Sequence, residues 1–106
     1  MKKIEAEQLK QNWDKLVSII NETFSGERKE KLLKMYEYFE DRMMMAPASG
    51  TAHFHNAHIG GYIEHVLHII SISRRLFVLY KELGAHIDYT EEEVIFAAMH
   101  HDLGKV

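Results

Sequence analysis

The chain is 106 residues long, 46% hydrophobic and 27% charged, with a formal net charge of -3. Those totals bound it to one domain of ordinary globular composition and argue against a basic track for a long nucleic-acid backbone. With no cysteine, disulfides and thiolate metal sites are excluded, and a bound metal has only nitrogen and oxygen donors to use.

The N-terminus, Met1-Lys2-Lys3-Ile4-Glu5, is charged rather than apolar, so it does not read as a secretion signal. No stretch approaches the roughly 18 apolar residues of a membrane span. The expected location is the cytoplasm, with no membrane partner. Leu9, Trp13, Leu16, Val17, Ile20 and Phe24 recur every three or four positions, the spacing of one helix face. Ser25-Gly26 breaks that helix. A second pattern runs through Leu32, Leu33, Tyr36, Phe39 and Met43, and both helices are expected to pack a core. Pro47 ends the second, because proline disfavours the helical conformation in the residue before it. Ala46 to Thr51 then reads as loop.

Gly60-Gly61 opens a third helix, in which Ile63, Val66, Leu67, Ile70, Leu76 and Phe77 give the wide apolar coverage expected at the centre of a bundle. Gly84 closes it. Thr90-Glu91-Glu92-Glu93 matches a capping box and predicts a fourth helix through Val94, Ile95, Ala97, Ala98 and Met99 into His100-His101-Asp102. No alternating strand pattern of useful length occurs, so the expected class is all-α, with about four main helices.

All eight histidines lie between His53 and His101, which places the chemistry in the second half. A divalent metal used on phosphate takes imidazole and carboxylate ligands and keeps positions open for water and substrate. His101 and Asp102 are neighbours, and neighbours on a regular helix point about 100° apart. Both reach one ion only where the helix is finishing, as Gly104 indicates. His65, inside an apolar helix where a polar ring needs a partner, is the best candidate for a third ligand.

Met99-His100-His101-Asp102-Leu103-Gly104-Lys105 resembles the His-Asp signature of the HD superfamily of metal-dependent phosphohydrolases. Gly60-Gly61-Tyr62-Ile63-Glu64-His65 resembles the segment that carries the superfamily's first metal histidine. Ala46-Pro47-Ala48, then His55, then Gly60-Gly61, is similar to the HD domain of 3′–5′ exoribonucleases in particular. The match spans residues 45–106. It implies a helical bundle with the metal between helices, and His65, His101 and Asp102 as the ligands. It also implies metal-bound water attacking a phosphate mono- or diester. Asp102 and Lys105 are then the expected catalytic residues, with Lys105 touching substrate phosphate as a point charge. His55 joins Lys105 in substrate binding, and His58, just past the loop, is a further candidate. The cofactor is a divalent ion, and Mn, Fe, Mg, Ni, Co and Zn all suit nitrogen and oxygen donors.

Two departures stand out. Asn56 replaces the second of the family's paired histidines, and the aspartate ligand that the family carries on a later helix has no counterpart before Val106. The expectation is a single HD-type domain over 1–106, incomplete at its C-terminus, that associates with a copy of itself or a partner. Alone, it should bind metal weakly and hydrolyse little. The acidic balance and the helices ahead of the motifs favour a nucleotide over a long RNA. The alternative function is a non-catalytic HD-fold module that binds a nucleotide or a protein; a purely structural bundle leaves the histidine clustering unexplained. Among the other residues, His68 is expected at the surface or behind the ligands, and His100 in packing or a hydrogen bond. His53 and His86 are expected to be ordinary surface residues. Glu64 divides evenly between orienting a ligand ring and plain exposure.

Overall fold

The computed structural model describes residues 6–47 and 59–103, which are all-α, with no strand among the described residues. Five helices follow in order: α1 (Ala6–Thr23), α2 (Gly26–Tyr38), α3 (Glu40–Met45), α4 (Gly61–Glu82) and α5 (Glu91–His100). None of them is long and apolar enough to cross a membrane.

α1 buries Trp13, Leu16, Ile19 and Ile20, the stripe its spacing predicts. The chain leaves it through buried Phe24 and enters α2, which turns Leu32 and Tyr36 inward. The single helix expected across Leu32 to Met43 is in fact two. Phe39 takes φ -101°, ψ 13°, the chain bends there, and α3 restarts at Glu40. Backbone bonds from Phe39 N–H to Met35 O (3.1 Å) and from Met43 N–H to Phe39 O (2.9 Å) carry the ladder through the bend. No glycine or proline marks it, and the apolar period runs on unbroken. α3 stops where Ala46, the residue before Pro47, turns extended at φ -68°, ψ 138°, as the proline ring requires.

Gly60 caps α4 in the left-handed conformation, φ 84°, which costs glycine little because it has no Cβ. The Tyr62 N–H donates to Ala46 O at 2.9 Å and pins the start of α4 to the end of α3. From there α4 buries Tyr62, Ile63, Val66 and Ile70. Beyond that point the apolar face of α4 is partly uncovered. Ile72, Leu76, Val78, Leu79 and Tyr80 are 42–48% exposed, because the helices packed on α4 cover its first turns and leave the later ones to water. The end is a Schellman closure: Ala85 N–H reaches Tyr80 O (3.0 Å) and Gly84 N–H reaches Lys81 O (3.1 Å), with Gly84 at φ 81°, as such closures need.

Thr90 caps α5 through both bonds of the capping box. Glu93 N–H donates to Thr90 Oγ1 at 3.1 Å and Thr90 N–H to Glu93 Oε1 at 3.4 Å. α5 buries Ile95, Ala98 and Met99 and packs chiefly on α4. Its last residue therefore arrives at the edge of the core, beside the first half of α4.

Candidate metal centre

α5 ends at His100, and His101 is its C-cap. His101 keeps right-handed helical angles, φ -60° and ψ -29°, so the two neighbours meet through the reach of their side chains and not through a break in the backbone. Asp102 Oδ2 lies 3.0 Å from His101 Nε2 and 3.8 Å from His65 Nε2. The two imidazole rings stand 5.6 Å apart between centroids. One ligand atom from each of the three residues lies within 4.8 Å of the others. The structure thus brings together the three residues that the motifs single out, from α4 and from the turn after α5. Their side chains keep 25–40% of their surface, which leaves a way in from solvent.

The hydrogen bond behind His101 says which face of the ring points into the cluster. Its Nδ1 lies 2.8 Å from Ala98 O, and a carbonyl only accepts, so Nδ1 carries the proton. A neutral ring then aims the Nε2 lone pair at a carboxylate oxygen 3.0 Å away. Two acceptors so close need positive charge between or beside them, from a second ring proton or from a cation. A ring N–H held by a backbone carbonyl is the usual way proteins orient a metal-binding histidine. Metal–ligand bonds of about 2.0–2.2 Å place neighbouring ligand atoms roughly 3–4 Å apart. Two imidazoles and one carboxylate at this spacing fit a divalent ion after small side-chain rotations.

Behind the cluster, His100 is tied into the core. Its Nδ1–H donates to Phe96 O at 2.7 Å, so its Nε2 accepts from the Tyr36 hydroxyl at 2.9 Å. Burial lowers the His100 pKa, the Phe96 bond partly offsets this, and the nearby Arg28 cation lowers it further. Arg28 itself lies over the Phe96 ring at 4.5 Å. Burial, and then the neighbouring Tyr62, push the Tyr36 pKa above its ordinary value, so Tyr36 remains a donor. Tyr36→Phe strands the His100 acceptor and is expected to cost about 1–3 kcal/mol. Thermal unfolding followed by circular dichroism should show the lower midpoint with native helix content below it.

Tyr62 was not legible as a site residue from its slot in the Gly-Gly motif, which reads as apolar. Its signal is position: three residues before His65, it shares that residue's helix face. It is 2% exposed, and its hydroxyl has no hydrogen-bond partner among the described residues. Burial, and then the negative charge of Asp102, push its pKa up to about 12. One residue on from Asp102, Leu103 lines a pocket of about 140 Å³ with Met35, Phe39, Arg42 and Met43, and the Arg42 guanidinium lies 5.7 Å from the centre of the Phe39 ring.

The remaining histidines divide. His68 is exposed on α4 and Glu64 is half-buried, while His86 pairs with Asp88 at 2.6 Å on the surface. His53, His55, Asn56, His58 and Lys105 lie outside the described residues, as does Gly104. No family model matches the chain, and no curated protein or solved structure does so either.

Proposed function

We propose that this chain is a metal-dependent phosphohydrolase of the HD type, acting on a phosphate mono- or diester of a nucleotide or short oligonucleotide. One observation carries the reading: His101, oriented by its Nδ1–H bond to Ala98 O, turns its Nε2 toward the Asp102 carboxylate with His65 beside it. The order of the two motifs along the chain supports the same assignment. His65, His101 and Asp102 would hold the ion. Once bound, such an ion lowers the pKa of water and neutralises charge on the phosphate. Arg42, in the lining of the otherwise apolar pocket that Leu103 shares, suits a phosphate carried on a flat, apolar group such as a nucleobase. Lys105 is the second cation assigned to the phosphate.

The test is a calorimetric titration of the chain with Mn²⁺, paired with release of nitrophenol from bis(p-nitrophenyl) phosphate and of phosphate from nucleoside monophosphates. Binding of about one ion per chain, reversed by chelator, with slow Mn²⁺-dependent turnover, is the expected result. Absence of ion binding would sink the reading. Binding without turnover of any of these substrates would leave the non-catalytic module in its place.

A further inference from the structure

The hydroxyl of Tyr62 is a buried donor without a partner among the described residues, in a core whose other polar atoms are accounted for. Such a group is costly in a folded protein, and its place in the molecule indicates what it serves. Tyr62 stands three residues before His65 on α4, so the two side chains leave the same face of the helix. The bond from its N–H to Ala46 O fixes the helix start from which the ring projects. Tyr36 directs its own proton to His100 and has none to give back to Tyr62. His65, one turn further along that face, holds its Nε2 3.8 Å from Asp102 Oδ2, so the carboxylate lies against the same stretch of α4, and its charge adds to the rise in the Tyr62 pKa. A direct bond between them is absent, and a water with polar partners on both sides bridges such gaps at little cost.

We infer that Tyr62 is a positioning residue of the metal centre, its O–H donating through one buried water to the Asp102 carboxylate and so fixing the oxygen that faces His65 and His101. This rests on the metal reading of those three residues. The hydroxyl would orient a ligand and touch neither ion nor substrate. Groups of that kind change metal affinity by about 10–100-fold when removed. A hydroxyl with no such duty leaves metal affinity unchanged, and deleting a buried orphan is neutral or stabilising for the fold.

Tyr62→Phe, made in the full chain and titrated with Mn²⁺ beside the wild type, separates the two. The expected result is affinity weaker by about tenfold or more, unchanged far-ultraviolet circular dichroism and a changed visible spectrum for the Co²⁺-loaded protein. Tyr36→Phe, which removes a hydroxyl directed at His100, should leave Mn²⁺ affinity within twofold of wild type, as about 0.4 kcal/mol or less implies. Equal Mn²⁺ affinity in Tyr62→Phe and wild type overturns the inference and leaves the metal site standing. Loss of helical signal in Tyr62→Phe overturns it too, by assigning the hydroxyl to the fold. Failure of the wild type to bind Mn²⁺ removes the metal reading and this inference together.

Discussion

Asp102→Ala is expected to weaken Mn²⁺ binding by more than about 100-fold, beyond the range for groups that merely orient a ligand, and to abolish metal-dependent hydrolysis. The reason is geometric and electrostatic at once. Asp102 supplies the carboxylate of the cluster, and its Oδ2 faces both imidazoles, at 3.0 Å and 3.8 Å. Without it, two neutral rings remain to hold a doubly charged ion. The fold should not notice, because Asp102 lies beyond the last turn of α5 and is partly exposed. Calorimetry at fixed pH gives the affinity, and circular dichroism gives the helix content. A variant that binds Mn²⁺ like the wild type would mean that His101 and Asp102 form an ion pair and nothing more.

The second large effect falls on stability. Met99 is 0% exposed and lies two residues before His101, where α5 meets α4. Met99→Ala removes a thioether and methyl from a packed interior and is expected to cost about 2–5 kcal/mol, the range for long apolar side chains cut to alanine in cores. In a chain of this size the melting temperature should fall by roughly 10 °C or more. Met99→Leu, which keeps the volume, should lose less than about 1.5 kcal/mol. Ala97→Ser, on the exposed side of the same turn, should change little. A melting temperature for Met99→Ala within a degree or two of wild type would show that α5 is not held by this contact.

Much of the fold could be read before any coordinates. The stripe on α1, the capping box at Thr90 and the closing glycine at position 84 are local signals, and each is satisfied by atoms within a few residues of it. The bend at Phe39 is different. Tyr36, Phe39 and Met43 keep the helical period through it, so the pattern carries no mark of the bend. Which part of α4 lies bare is hidden for a related reason. Ile72, Leu76 and Leu79 have the composition of buried residues, and composition does not say whether another helix lies over them. At the site, the spacing of the two motifs indicated which residues meet. It did not indicate which ring nitrogen faces inward, since that depends on the bond between His101 Nδ1 and Ala98 O at the end of α5. The orphaned hydroxyl of Tyr62 depends on what surrounds it in space, and no neighbour in sequence reports that.

The shortness of α5 carries a consequence for how occupancy and order relate. Ten residues is below the length at which a helix persists alone in water. Its front end is locked by Thr90 and Glu93, whereas its rear end runs out into His101 and Asp102. An ion gripped by that rear end and by His65 would act as a non-covalent staple between the end of one helix and the well-packed half of another. Opening of the last turn and release of the ion then become a single linked equilibrium, and stripping the metal would loosen backbone as well as emptying a site.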